Sequence, residues 1–375
     1  MTYLKIKVRM LFIFLLFNGG CGILGVSDDP LPLTYKDPIH FNLDDLDYVK
    51  QELKKENNPY EEAYNKLIIQ ANKALNSYGY SVVTKEEPAP NGNKHEYVSG
   101  GRYWLPNAEI EDGLPYVKRD GNTNPEIYQF DRVPLASLRD DVETLSIVYY
   151  LTGNEKYAQK AISLINRWFI DKQTKMKPNL QFAQGIPGLT SGRPNGIIDG
   201  LDFYRLLNYV PILKKSDRWS NKINIGLNKW FYNYYMWLLK HDFGKAARET
   251  SNNHGTWYDV QVGTYAYFFN DEETLAEVLA RVRNKRIPGQ IASNGQQVSE
   301  LNRTLYLHYS TYNLEALSIL ANLQYKSQKG LMKNNSSKGI WNYTTDGSGS
   351  IEDAIQFLIP YIGGEKTWNF EQIEK

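Results

Sequence analysis

Cysteine occurs once in this 375-residue chain, at Cys21, so no disulfide can form within it. A charge excess is missing too. Lys and Arg number 43 against 42 Asp and Glu, and a net charge of +1 argues against a nucleic-acid binder. No Gly-rich nucleotide loop, no Gly-x-Ser-x-Gly elbow and no His-Glu-x-x-His motif is present. The five histidines are scattered without metal-ligand spacing, so neither a metal nor a cofactor is expected. No stretch alternates as a strand for long, which excludes a mainly β architecture.

With 42% hydrophobic residues, the chain has the composition of a soluble globular protein. Its 28 Tyr and 8 Trp are unusual. Most must pack helices, but aromatic rings also line carbohydrate clefts, where a sugar's C–H face stacks on them. At the N-terminus Lys5, Lys7 and Arg9 precede the apolar run Met10–Phe17 and then Asn18-Gly19-Gly20-Cys21. That run is too short to span a membrane and reads as an export signal over residues 1–20. It resembles a bacterial lipoprotein signal, which makes Cys21 the lipidated first mature residue. The resemblance implies a periplasmic or outer-membrane-anchored protein of a Gram-negative bacterium, touching the membrane only through that anchor. Residues 21–38 read as a tether, and 39–375 as one domain, expected to be a monomer.

Helical periodicity dominates the rest. Leu46, Val49 and Leu53, then Ala63, Leu67, Ile68, Ala71 and Leu75, predict a helical stretch over 43–77. Helices are also predicted over 133–151, 155–170, 197–213, 220–240, 272–286, 314–323 and 352–358. Paired helices joined by short turns point to an all-α, α/α arrangement. The long Pro-, Gly- and Asn-rich loop 81–126 holds too many aromatics to be disordered, and either covers or lines a cleft or packs on the helices as a surface excursion. A second polar loop, 172–196, carries Gln181, Gln184 and Arg193. Lys326–Ser350 reads as a further loop.

Polar chemistry concentrates in two places. Ser251–Gln261 carries Asn252, Asn253, His254, Tyr258 and Gln261 between apolar helical runs, a costly arrangement unless the groups are hydrogen-bonded or used. An Asn N-cap with a satisfied histidine is the plainer alternative. The second cluster runs from Gln296 to Tyr312. On a helix, Arg303, Tyr306, Tyr309 and Tyr312 would share one face, and an Arg beside a phenol lowers its pKa. Asp140-Asp141 reads as a solvated face or an ion pair rather than as glycosidase acids.

The motif Asn252-Asn253-His254-Gly255-x-x-Tyr258-x-x-Gln261 resembles the central motif of the alginate lyase superfamily. So do Arg102-Tyr103-Trp104-Leu105-Pro106, Gly192-Arg193-x-x-Gly196-Ile197-Ile198-Asp199 and Glu300-Leu301-x-Arg303-Thr304-x-x-x-x-Tyr309. The resemblance implies an incomplete (α/α) toroid and a lyase that cleaves a uronic-acid polymer, mannuronate-rich alginate above all, by metal-independent β-elimination. Neutralising the uronate carboxylate acidifies the C5 proton. The resemblance gives that task to Asn253 with Arg303, the C5 proton to His254 or Tyr309, and the C4 oxygen to Tyr309. It implies Arg102, Tyr103, Trp104, Gln184, Arg193, Arg248, Asn252, Trp257, Tyr258 and Gln261 as substrate-binding residues. The rivals are a lyase for another polyuronate such as glucuronan, a carbohydrate-binding lipoprotein without turnover, and a hydrolase. The polar clusters supply only Glu249 and Glu300 for the last.

Overall fold

The computed structural model describes residues 31–34, 36–301, 303–328 and 339–368. The expected export signal and Cys21 lie outside the described residues, as does 329–338 of the expected loop at 326–350.

Stop and start signals set most helix ends. Helix α1 (Leu43–Glu52) and α2 (Glu61–Leu75) divide the predicted stretch 43–77 in two. Pro59 and the left-handed Asn57 (φ 57°) fall between them, and neither continues a helix. The long α3 (Arg132–Thr152) stops at the left-handed Gly153. Asn154 then caps α4 (Glu155–Ile165) through the Lys156 N–H. A π-helical turn, Asn166–Ile170, extends α4 and buries Trp168 and Phe169. The predicted helix 197–213 is instead a 3₁₀ stretch, Pro194–Gly200, followed by α5 (Leu201–Leu207) and the short α6 (Val210–Leu213). Helices α7 (Asn221–Lys240), α8 (Asp242–Glu249), α9 (Asn253–Phe269) and α10 (Glu272–Arg281) follow in close succession. After α11 (Ile287–Gln290) and α12 (Val298–Leu301), α13 runs Tyr306–Gln328, well beyond the predicted 314–323. Ser350 and Asp353 form a capping box that opens α14 (Ile351–Ile362).

Neighbouring helices pack in pairs, α3 on α4, α7 on α8 and α9 on α10, in an incomplete α/α toroid. Helix α9 is its inner member and contacts α5, α7, α8, α10 and α13. Every α9 residue except His254 is buried. Most aromatic rings pack the core, as in the cluster of Phe169, Phe203, Trp230, Phe231, Tyr234 and Tyr265. The chain before α1 docks on this core. Leu33 N–H donates to Asn228 Oδ1 at 2.6 Å and Thr34 N–H to Phe268 O at 2.7 Å.

Among the described residues the strands lie in the two long loops, with isolated bridges between Ile291 and Gln297 and between Ala292 and Ser348. Strand β1 (Val98–Gly100) pairs in parallel with β4 (Phe182–Gly185), while β2 (Trp104–Leu105) pairs antiparallel with β3 (Val117–Lys118). The β1–β4 pairing joins the loop 81–126 to the loop 172–196, and β2–β3 closes a hairpin within the first.

Candidate active site

The two loops and the starts of α3, α9 and α13 enclose a cleft of about 370 Å³. Its centre is the first turn of α9. Asn252 caps that turn by accepting from the His254 N–H at 3.1 Å, so the plainer reading of Asn252 holds, and it sits in the cleft as well. The stretch 251–261 starts a helix rather than interrupting one. Asn253 is fully buried in the cleft wall, and its backbone N–H and Nδ2 both donate to Glu300, at 2.8 and 2.7 Å.

Burial, with the Arg303 and Arg193 charges, pushes the His254 imidazole down to about 4, so it is neutral at ordinary pH and able to accept a proton. Tyr309, in the first turn of α13, donates to the Tyr103 hydroxyl at 2.9 Å. The Arg303 guanidinium lies 3.9 Å from the Tyr309 ring centroid. The phenol's pKa is nevertheless raised. Burial and the Tyr103 hydrogen bond outweigh the Arg303 charge, contrary to the lowering expected from the Arg–Tyr pairing alone. Arg303 is also not on the helix face. It precedes α13, and the turn lets it form a bidentate pair with Asp120, at 2.9 and 3.1 Å. Burial works against the Asp120 carboxylate, but Arg303, Lys118 and Thr304 hold its pKa below the usual range.

On the opposite wall, Gln184 and Arg193 hold one another. Arg193 Nη2 donates to Gln184 Oε1 at 2.8 Å and its Nε to Gln184 O at 3.1 Å. Gln184 sits at φ 51°, a strained conformation for a side-chain-bearing residue and one that clusters at functional sites. Behind it, buried Asp199 accepts from Ser99, Gln184 and Arg132.

Of the expected residues, Arg102, Tyr103, Trp104, Gln184, Arg193, Asn252, Asn253, His254, Arg303 and Tyr309 converge on this cleft. Four do not. Trp257 is wholly buried between the Tyr204 and Tyr312 rings. Tyr258 donates to Leu238 O at 3.3 Å in the core. Gln261 is spent on Ile197 O and the Tyr234 hydroxyl. All three follow the first turn of α9, where the helix enters the core. Arg248 pairs with Glu249 on the outer surface. Arg132 and Lys118 line the cleft and were missed. Lys118 stands two residues before Asp120 in the aromatic loop segment and could have been found there. Arg132 opens an ordinary helix and carries no sequence signal. Asp140 pairs with Arg139 on the helix surface, as expected.

Comparison with known proteins decides the family: the alginate lyase family model matches residues 81–368. The chain belongs to the alginate lyase family. It is a polysaccharide lyase. The solved alginate lyase from Bacteroides ovatus is 34% identical with a TM-score of 0.83, covering 90% of this chain and 87% of that one. Alginate lyase A1-III, solved as a His-to-Ala variant complexed with tetrasaccharide, is 16% identical with a TM-score of 0.54 and shares the fold. It covers 94% of this chain and 84% of that one. A comparison with curated proteins returned no match.

Proposed function

We propose that this lyase cleaves mannuronate-rich alginate by β-elimination, with His254 as base and Tyr309 as acid. The observation that carries this reading is the convergence of His254, Tyr309, Asn253 and Arg303 on one cleft lined by cations, where burial favours a neutral imidazole and a protonated phenol. His254 takes the C5 proton. Tyr309 gives its proton to the departing C4 oxygen. Arg303 and the remaining Nδ2 hydrogen of Asn253 meet the uronate carboxylate, where negative charge grows as C5 loses its proton. Gln184, Arg193, Arg102, Tyr103 and Trp104 hold the sugars on either side.

Mannuronate is favoured over guluronate because His254 and Tyr309 both line the cleft and stand in the first turns of two helices that pack on each other, α9 and α13. They therefore reach a sugar ring from one wall. In mannuronate, as in glucuronate, the C5 hydrogen and the C4 oxygen lie on one face, whereas in guluronate they lie on opposite faces. Ultraviolet absorbance of the new C4–C5 double bond, followed on polymannuronate, polyguluronate and glucuronan with a chelator present, tests the proposal. Polymannuronate should react fastest. A faster reaction on glucuronan would move the specificity to that polymer, and binding without any absorbance rise would sink the lyase reading. Export with lipidation at Cys21 is proposed on the sequence alone. Cys21→Ala should abolish incorporation of labelled fatty acid.

A further inference from the structure

Five acidic side chains are buried among the described residues: Glu96, Asp131, Asp199, Asp259 and Glu300. Four have a cation. Lys177 pairs with Glu96, Lys85 with Asp131, Arg132 with Asp199, and Arg281 and Arg286 with Asp259. Glu300, 1% exposed, forms no ion pair among the described residues. The cation in its own turn, Arg303, is committed to Asp120. Burial pushes the Glu300 pKa up, and the two Asn253 N–H groups, with the more distant Arg303 charge, are what favour its carboxylate form. Both its oxygens are spent on one residue, Asn253, which lines the cleft.

We propose that Glu300 is the positioning residue that fixes the Asn253 carboxamide with its nitrogen, rather than its oxygen, as the group offered to the substrate carboxylate. The reasoning is one of donors and acceptors. A carboxylate facing two N–H groups satisfies both. If the amide turned over, Asn253 Oδ1 would confront the Glu300 carboxylate, so that orientation is excluded by charge. Asn253 Oδ1 is shielded from solvent and has no partner, so no other hydrogen bond sets the orientation. Nδ2 keeps one hydrogen uncommitted. No neutral side chain can replace Glu300. Gln offers one oxygen and one –NH₂, so one Asn253 donor would face another donor.

The inference rests on the lyase reading and is tested with full-length protein on polymannuronate. Glu300→Gln should lower kcat about 100-fold, the scale of a misplaced reacting group, with KM within about threefold of wild type. Glu300→Asp keeps two acceptor oxygens and should recover at least about tenfold of that loss. Rates are taken at low temperature, well below each variant's melting point, so that a merely structural defect disappears from the comparison. Turnover by Glu300→Gln within about twofold of wild type would overturn the positioning role. So would a Glu300→Asp variant no better than Glu300→Gln. Wild-type protein in the same assay separates the two readings, since no unsaturated product from it is a failure of the lyase proposal instead.

Discussion

Burial acts in opposite senses on His254 and Tyr309, the proposed base and acid. Leaving water disfavours the charged form, so it lowers an imidazole and raises a phenol. A low His254 pKa gives the pH dependence a definite sign. The free enzyme needs neutral His254, so kcat/KM on polymannuronate should stay level from about pH 8 down to about pH 5. It should fall only as pH drops through about 4, where His254 protonates. A His254→Ala variant that kept both the rate and the acid limb of wild type would remove His254 as the base. Tyr309→Phe keeps the ring under Arg303 and removes only the oxygen that bears the proton. It should cost about 100- to 10,000-fold in kcat while polymer binding, measured by calorimetry, changes little. Near-normal turnover would place the acid on Tyr312, which also lines the cleft.

At the scale of elements, periodic helices were legible and the inner one was not. Helix α4 buries Ala158, Ala161, Ile162 and Ile165 on one face, and that face is written in the sequence. Helix α9 is buried on all sides, so it has no polar stripe from which to tell a cleft residue from a core residue. Trp257, Tyr258 and Gln261 were therefore grouped with His254, although only the first turn of α9 reaches the cleft. What fixes that turn is also invisible to periodicity. Arg286 joins buried Asp259 to the carbonyls of Arg248 and Thr250, just ahead of the Asn252 cap. Arg281 closes the other side of Asp259 at 2.9 Å. Asp259→Asn leaves two guanidinium groups facing a neutral amide and should cost about 3–5 kcal/mol in denaturant unfolding, the scale of a broken buried pair. A loss below about 1 kcal/mol would mean that the arginines find water or other partners.

Across the whole molecule, charge is segregated rather than scarce. A chain of net charge +1 brings Arg102, Lys118, Arg132, Arg193 and Arg303 to one cleft, with Asp120 as the only carboxylate among the lining residues. These residues come from segments up to two hundred positions apart, so composition gave no hint of the patch. Ion pairing occupies Arg303 with Asp120 and Arg132 with Asp199, while Arg102, Lys118 and Arg193 form no ion pair among the described residues. A concave cationic patch steers and holds a polyanion through interactions that salt screens over about 8–10 Å. KM for polymannuronate should therefore rise about tenfold or more between roughly 20 and 500 mM salt. The kcat should change far less, because proton transfer to His254 and from Tyr309 acts at contact distance within the bound complex, where salt screens little. Short uronate oligomers engage fewer cations and should show a shallower dependence. If KM were flat in salt for polymer and oligomer alike, binding would rest on hydrogen bonds and ring stacking at Tyr103 and Trp104, and the charge of the substrate would not be what the cleft selects.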